Sequence, residues 1–208
     1  TRWASPTFII PKPESSTVRW VSDFRELNKV LERVQYPTPR IQDIMLKQRG
    51  YNHFMKLDLS MMFYCFELDD KSKELCTITT PFGKFQYQRL PMGIKVSPDF
   101  AQSMIKKILG DMDIDAYMDD LGLWSKGSFD DHMIIVDKVL ERLACDGMKC
   151  NLLKCKWAVR ETTFLGHYMT PEGITPMRNK IDAVLKLGRR RNQTKVRSFI
   201  GAVTFYKS

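Results

Sequence analysis

The sequence predicts an α+β fold in which an antiparallel sheet is backed by two helices. Short segments rich in Ile, Val, Thr, Phe and Tyr alternate with Pro, Gly and Ser. Two longer segments repeat apolar residues at the helical period, and a strand-like stretch lies between them. With 208 residues, of which 43% are hydrophobic, the chain can bury a core as one domain or as two interlocked subdomains.

The first ninety residues are predicted to be mainly short strands. Strand-like composition marks the segments FIIPK, TVRWVSDF, FMKLDL, FYCFEL, CTITT and KFQYQRL. One helix is expected at RIQDIMLKQ, after the helix breakers Pro37 and Pro39. This half is therefore predicted to be mixed, with strands in the majority.

Two amphipathic helices are predicted in the middle of the chain. In SPDFAQSMIKKILG, Ser97 can cap the helix, Pro98 suits its first position, Asp99 complements its dipole and Gly110 can end it. The second helix is predicted from about Asp130. Further short strands are expected in KCNLLKCKWAVRETTFLGHYMTPEG, and two more helices in NKIDAVLKL and TKVRSFIGAVTFY.

Between these helices, residues 113–118 and 121–125 are predicted to be two strands, with Met118, Asp119 and Asp120 at the turn. A hairpin would place two adjacent carboxylates at its tip, among apolar and aromatic residues. Two such anions repel by a few kcal/mol at an effective dielectric of about 20. A cation should therefore compensate them, and Mg²⁺ prefers oxygen ligands of this kind.

Asp58 offers a third carboxylate within a mostly apolar stretch. If its strand lies beside the hairpin, Asp58 and Asp119 could share two metal ions about 3.5 to 4 Å apart, which is the geometry of phosphoryl transfer. The alternative for Asp58 is a buried aspartate that caps a turn. An Asp-Asp pair is a weak signal by itself, because the pairs at 69–70 and 130–131 are expected at solvated turns or a helix start.

The net charge of +9 is concentrated in one part of the chain. Residues 145–208 hold 13 Lys and Arg against 4 Asp and Glu, whereas residues 1–144 hold 20 of each. This excess, which includes the three arginines at 189–191, is typical of a segment that binds a polyanion such as nucleic acid. The alternative is an ordinary solvated surface.

The cysteines favour an intracellular protein with reduced thiols, because their number is odd and none forms a CxxC pair. A zinc site at Cys145, Cys150 and Cys155 is disfavoured, since no histidine accompanies them. No apolar run approaches the roughly 18 to 20 residues of a membrane span, and the first residues, TRWASP, lack the pattern of a signal peptide.

Nine ordered segments resemble a known family and cover nearly the whole chain. They are WASPTFIIPK, VSDFRELNKV, YPTPRIQDI, KLDLSMMFYCFEL, FGKFQYQRLPMGIKVSPDFAQ, YMDD, LKCKW, FLGHYMTPEGI and VRSFIGAVTFY. In this order they resemble the successive blocks of the reverse transcriptase in the pol polyprotein of gypsy-type long-terminal-repeat retrotransposons and of retroviruses.

The resemblance implies a right-hand polymerase fold, with an antiparallel-sheet palm backed by helices, interleaved fingers and the start of a thumb. The fingers are expected at 1–32 and 67–96, the palm at 33–66 and 97–173, and the start of the thumb at 174–208. The ribonuclease H and integrase modules that usually follow are expected in the same polyprotein, outside this sequence.

The resemblance also implies synthesis of DNA on RNA and DNA templates, in which a primer 3′-hydroxyl attacks the α-phosphate of a dNTP. Asp58 matches the first catalytic aspartate, and Asp119 and Asp120 match the pair in YMDD. Together with Leu59, they are expected to bind two Mg²⁺ ions, with Mn²⁺ as an alternative. Lys154 matches the lysine proposed to protonate the leaving pyrophosphate; the alternative is a solvated lysine.

Five positions match the nucleotide site of the family. Lys12 and Arg19 fall where cations contact the incoming triphosphate, a contact that would neutralise developing charge; the alternative is surface charge. Phe63 falls where an aromatic side chain blocks a ribose 2′-hydroxyl, and its alternative is a core phenylalanine. Met92 and Gly93 complete the set, since glycine suits a backbone that approaches a ligand closely.

Seven further positions match template and primer contacts of the family. Met118 is expected under the primer end, and the FLGH segment resembles the primer grip. The full set is Arg25, Lys95, Pro98, Met118, Leu165, Gly166 and His167.

Methionines mark where the sequence departs from the family. Met62, preceded by Met61, replaces a small residue, and Met92 stands where relatives carry Gln or Phe. Both Met62 and Met92 are expected to line the nucleotide pocket. Because methionine is flexible and fills irregular space, selection of sugar and base is expected to be looser than in the family.

The expected partners are an RNA or DNA template-primer, dNTP and the other polyprotein modules, and no membrane. The oligomeric state stays open, because related enzymes occur as monomers and dimers. The expected location is the cytoplasm, within virus-like particles. One alternative function is a catalytically silent module that binds nucleic acid; another is an RNA-templated RNA polymerase, against which Phe63 argues.

Overall fold

The computed structural model describes residues 3–11, 16–46, 50–178, 181–182 and 193–205. Their strands form three sheets. The α-helices whose bounds lie within the described residues are α1 (Arg25–Val30), α2 (Ile41–Leu46), α3 (Asp70–Leu75), α4 (Ser97–Leu109), α5 (Phe129–Cys145) and α6 (Gln193–Phe205). Among the residues described, no helix has the length and apolar character needed to cross a membrane.

The first sheet has the strand order β2-β1-β4-β5 and joins two distant parts of the chain. β1 pairs with β2 antiparallel and with β4 parallel, and β4 pairs with β5 antiparallel. The strands are β1 (Ser5–Pro11), β2 (Val18–Ser22), β4 (Thr77–Thr80) and β5 (Gly83–Gln86).

The second sheet is antiparallel, with the order β6-β7-β3-β8. Its strands are β3 (His53–Asp58), β6 (Ile114–Tyr117), β7 (Asp120–Ser125) and β8 (Lys156–Val159). The strand that ends at Asp58 therefore lies directly beside the hairpin, as the sequence predicts. The third sheet, in the order β11-β10-β9, consists of β9 (Thr162–Phe164), β10 (His167–Thr170) and β11 (Gly173–Pro176).

The main core lies between the second sheet and the helices α4 and α5. Leu57, Leu121 and Leu123 of the sheet pack against Ile105 of α4 and Val139 of α5, and all five side chains are buried. Burial of this apolar face contributes about 25 cal/mol per Å² of apolar area. The predicted antiparallel sheet backed by two helices is confirmed.

Two local predictions were wrong. FYCFEL is not a strand, because Met61 adopts a left-handed backbone with φ of 52° and leads into a 3₁₀-helix at Met62–Cys65. Ser97 does not cap α4, since Val96 is the N-cap residue and the Ser97 hydroxyl donates to the Pro91 carbonyl, 3.1 Å away.

Other elements agree with the sequence or cannot be compared. Gly110 ends α4, and the helix predicted from Asp130 is α5. The helix predicted in NKIDAVLKL falls largely outside the described residues.

Candidate active site

The three aspartates lie at one end of the second sheet. Asp58 at the end of β3 is paired across the strands with Asp120 at the start of β7. The Leu59 amide donates to the Asp119 carbonyl, 2.8 Å away, and so joins the first segment to the tip of the hairpin. Residues more than 60 positions apart in the sequence are therefore neighbours because of the strand register.

Gln102 of α4 supports the β6–β7 hairpin through two hydrogen bonds to its main chain. Its side chain is buried; the amide nitrogen donates to the Ala116 carbonyl at 2.9 Å, and its oxygen accepts from the Met118 amide at 2.8 Å. These bonds fix Met118 in a left-handed conformation, with φ of 54°, which is costly for a residue other than glycine. Sequence reasoning missed Gln102, although a glutamine beside the apolar ridges of an amphipathic helix is a visible signal.

Two lysines accompany the aspartates. Lys154 Nζ lies 3.4 Å from Asp58, and Lys56 Nζ lies 2.8 Å from Asp120 Oδ1. Lys154 is thus at the site, as predicted, whereas Lys56 was not predicted. Its position two residues before Asp58 on the same strand places both side chains on the same face of the sheet.

Asp119 carries the least compensated charge of the three. It is exposed at the tip, but the surrounding protein removes part of the water from its carboxyl group, and this desolvation raises its pKa. The nearby Asp120 and Asp58 raise the pKa further, while Lys154 lowers it. Desolvation and two neighbouring anions therefore both disfavour the ionised form of Asp119.

The carboxylates suit a hard divalent cation, which takes oxygen ligands. Across the described ranges, however, no three side chains of His, Cys, Asp or Glu are grouped closely enough to hold one ion. The binding of two ions by Asp58, Asp119 and Asp120 therefore stays a prediction. Lys154 and Lys56 each hold one of the carboxylates in an ion pair. Leu59, also predicted in the metal set, has a buried apolar side chain, so only its main chain offers an oxygen.

The methionines near the predicted sugar gate occupy different environments. Met62 is buried in the main core, so its expected place in the nucleotide pocket is wrong. Met61 is 72% exposed instead, because its left-handed backbone turns the side chain outward. Phe63 is half-buried and packs against the main core. Met92 is 48% exposed, which leaves it accessible to a ligand.

The loop before α4 is held by Asn28, another residue that sequence reasoning missed. Asn28 donates to the Gly93 carbonyl and accepts from the Lys95 amide, both at 2.8 Å. Gly93 has φ of 97°, a conformation open mainly to glycine. Pro98 lies in the first turn of α4, as predicted. These bonds fix the main chain of the predicted nucleotide and template positions relative to α1.

The predicted cations of the first sheet differ in their surroundings. Arg19 on β2 is exposed, and within the described part of the chain it forms no ion pair. Arg25 instead contacts Asp23 through two nitrogens, and the guanidinium lowers the pKa of Asp23 to about 2. Arg25 is still 85% exposed, so its outer face can meet a ligand. Lys12 lies outside the described residues.

The predicted primer-grip residues form the turn between β9 and β10. Leu165 and Gly166 have φ of 47° and 80°, as in the two-residue turns that join tight hairpins. His167 is buried, and its Nδ1 donates to the Leu165 carbonyl at 3.1 Å. The imidazole therefore supports the turn, and Leu165 and Gly166 are the more accessible positions.

Residues 10–169 match the protein family described as reverse transcriptase (RNA-dependent DNA polymerase). The chain belongs to this family. The reverse transcriptase match covers the whole second sheet, including the three aspartates, and the first sheet except for residues 5–9 of β1. The prediction of a retroelement reverse transcriptase is thereby confirmed.

Similar proteins include two from Schizosaccharomyces pombe, the transposon Tf2-3 and Tf2-4 polyproteins. Each is 31% identical over 207 residues, which is 98% of this chain and 15% of the polyprotein. The chain therefore spans a small part of the relatives that it matches. Its similarity extends beyond the family match to the thumb predicted at 174–208.

Solved structures of foamy viral protease-reverse transcriptase have the same fold. The complex with double-stranded DNA has a TM-score of 0.87 at 24% identity and covers 97% of this chain and 36% of that one. The complex with an RNA/DNA hybrid has a TM-score of 0.81 at 24% identity and covers 97% and 27%. The predicted α+β right-hand polymerase fold is confirmed.

Proposed function

We propose that this chain synthesises DNA on RNA and DNA templates by two-metal nucleotidyl transfer from dNTP to a primer 3′-hydroxyl. The observation that carries the proposal is the register of β3 and β7, which places Asp58 beside Asp120 and next to Asp119. Three acidic residues from two distant segments meet there with a lysine, in a chain of the reverse transcriptase family.

Asp58 and Asp119 are the proposed holders of divalent ions, because Mg²⁺ commonly uses one or two carboxylates together with substrate phosphates. Such ions, when bound, would activate the primer hydroxyl and stabilise the leaving oxygen. Asp120 adds negative charge at the same end of the sheet, while Lys56 holds its carboxylate. Lys154, beside Asp58, is the proposed proton donor to pyrophosphate.

The proposed nucleotide site extends from the aspartates toward the first sheet. Arg19 is available for the triphosphate, and the loop at Met92 and Gly93 is available for the base or sugar. Phe63 is the proposed sugar gate; its contact with the core would make it a rigid barrier. A rigid ring close to the sugar would favour dNTP over rNTP.

We also propose the interleaved domain boundaries of the family for this chain: fingers at 1–32 and 67–96, palm at 33–66 and 97–173, and the start of the thumb at 174–208. The proposed template-primers are RNA/DNA hybrid and double-stranded DNA. Their support is that the foamy viral enzymes of the same fold are in complex with these duplexes. Ribonuclease H and integrase partners, and a location in cytoplasmic virus-like particles, stay predictions.

The test is primer extension on an RNA template with dNTP and Mg²⁺. The wild type and Asp113→Asn should extend the primer, since Asp113 is an exposed residue at the start of the hairpin, away from its tip. Asp58→Asn should reduce extension by about 10³-fold while template-primer affinity is retained, because metal-assisted charge stabilisation is worth several kcal/mol.

The alternative is a catalytically silent module that binds nucleic acid. A folded wild type that binds template-primer with the expected salt dependence but does not extend it, with Mg²⁺ or Mn²⁺, would establish that alternative.

A further inference from the structure

Phe164 links the third sheet to the second. It is the last residue of β9 and directly precedes the Leu165–Gly166 turn. Its side chain is fully buried, in a cluster with Phe54 and Trp124 of the second sheet. Its ring meets both of the others edge to face, with centroid distances of 5.5 Å to Phe54 and 5.8 Å to Trp124, while Phe54 and Trp124 stack on each other at 3.9 Å.

Gly122 of β7 makes room for the Phe164 ring. A Cβ atom at Gly122 would lie 2.8 Å from Cζ and 3.1 Å from Cε1 of Phe164, and 3.3 Å from Cε2 of Phe54. Contacts this short require one of the groups to move. Glycine inside a strand weakens the strand and is often found where another group approaches closely. The absence of a side chain at position 122 therefore sets the height of the Phe164 ring above β7.

The groups that contact Phe164 are close neighbours of the proposed catalytic carboxylates. Gly122 lies two residues after Asp120 on β7. Lys56 lies two residues before Asp58 on β3, and its Nζ is 6.0 Å from the Phe164 ring centroid and 2.8 Å from Asp120 Oδ1. One buried ring thus contacts both strands that carry the aspartates.

We propose that Phe164 is a positioning residue that fixes the Leu165–Gly166 turn, and with it the primer 3′ end, relative to Asp58 and Asp120. This inference rests on the proposed function. A reaction of this kind tolerates little error, because a displacement of about 1 Å can lower the rate about 10²-fold. The turn contributes only two residues between its strands, so the placement of β9 determines where the turn lies.

The test compares full-length variants that change the contact between position 122 and the Phe164 ring. Gly122→Ala should push the Phe164 ring away from β7. Phe164→Leu removes Cζ, and the double variant Gly122→Ala/Phe164→Leu should therefore relieve the contact. Gly173→Ala on β11 is the matched control, because a Cβ atom there meets nothing within 4 Å. All measurements are made below the unfolding midpoint of every variant.

Two readouts separate positioning from folding. The first is the rate constant for single-nucleotide addition at saturating dNTP and template-primer, together with the Kd of the template-primer. The second is the emission of 2-aminopurine placed as the primer 3′ base, which reports stacking without requiring catalysis. If the wild type fails to extend the primer, the proposed function fails, and the emission still decides whether the primer end is positioned by Phe164.

Gly122→Ala should lower the rate constant at least about tenfold, change the 2-aminopurine emission and leave the Kd within about twofold. The double variant should recover most of the rate and the wild-type emission, and Gly173→Ala should behave as the wild type. The inference is overturned if Gly122→Ala leaves rate and emission unchanged, or if the double variant is no better than Gly122→Ala.

Discussion

The tip of the β6–β7 hairpin and the start of α5 both contain the dipeptide Asp-Asp, and the two regions use it in opposite ways. At the start of α5, Asp131 accepts hydrogen bonds from the Ser128 amide at 3.0 Å and from its hydroxyl at 2.6 Å, within a capping box. These bonds lower the pKa of Asp131. The charge is satisfied locally, at the positive end of a helix.

At the hairpin tip, by contrast, desolvation and two anionic neighbours raise the pKa of Asp119. The carboxylates are placed by the sheet register and by Gln102, and Lys56 and Lys154 compensate their neighbours. A dipeptide therefore does not identify a functional site; the elements that hold it do. The pair at 69–70 repeats the first case, because Asp69 caps α3.

Removing the support of the hairpin should have the largest effect of the changes that spare the carboxylates. Gln102→Met leaves the Ala116 carbonyl and the Met118 amide without their partner, at a cost of about 1 to 3 kcal/mol for each buried group left unpaired. Unfolding in urea should show a loss of about 2 kcal/mol or more. Extension should also fall at least about tenfold, since the tip is no longer fixed.

Ser103→Ala on the same helix is the control, because among the described residues its hydroxyl bonds only to the Phe100 carbonyl, one turn earlier. Its unfolding free energy should change by about 0.5 kcal/mol at most. Equal losses in the two variants would mean that α4 as a whole, and not the clamp, supports the hairpin.

A change at the start of α5 should affect stability and spare catalysis. Ser128→Ala removes the cap from Asp131 and should lower the unfolding free energy by about 1 kcal/mol. The rate of extension should not change at a temperature where both proteins are folded. Ser128→Thr keeps the hydroxyl and should restore most of the stability; a loss of extension with Ser128→Ala would break the contrast between the regions.

The smallest expected effects are on stability. Asp119→Asn and Asp131→Asn should change the unfolding free energy in opposite directions, measured by urea unfolding at pH 7 without divalent metal. Because its pKa is raised on folding, ionised Asp119 opposes folding at pH 7, so Asp119→Asn should be more stable than the wild type. Because the pKa of Asp131 is lowered, ionised Asp131 favours folding, so Asp131→Asn should be less stable.

The differences in unfolding free energy between each variant and the wild type should both disappear at low pH. The contribution of Asp131 is lost as the pH falls from about 3.8 through its lowered pKa. The contribution of Asp119 disappears as the pH falls through its raised pKa toward 3.8. Stability changes of the same sign for the two variants at pH 7 would contradict the comparison.

The parts predicted from sequence are those set by local patterns. Alternating β-branched and aromatic residues located the strands of the first two sheets, and apolar periodicity located α4 and α5. The resemblance to reverse transcriptases added the expected roles of the individual site residues. The pairs at 69–70 and 130–131 were predicted at solvated turns or a helix start, and the structure has them at the starts of α3 and α5.

The parts that could not be predicted depend on tertiary contacts. The left-handed backbone of Met61 turns FYCFEL into a 3₁₀-helix, which no strand propensity anticipates. Lys56 meets Asp120 only because of the register of β3 and β7. Gln102 and Asn28 look like ordinary polar residues until the main-chain groups that they bind are known.

We propose that the Asp-Asp pair at the hairpin tip carries the chemistry because of where the fold holds it, and not because it is an Asp-Asp pair. Primer extension by Asp119→Asn and Asp131→Asn side by side tests this, because each variant removes one carboxylate charge from an Asp-Asp pair, one at the hairpin tip and the other at the start of α5. Asp119→Asn should lose extension by about 10³-fold, and Asp131→Asn should extend the primer as the wild type does. Substantial extension by Asp119→Asn, or an equal loss in both variants, would contradict it.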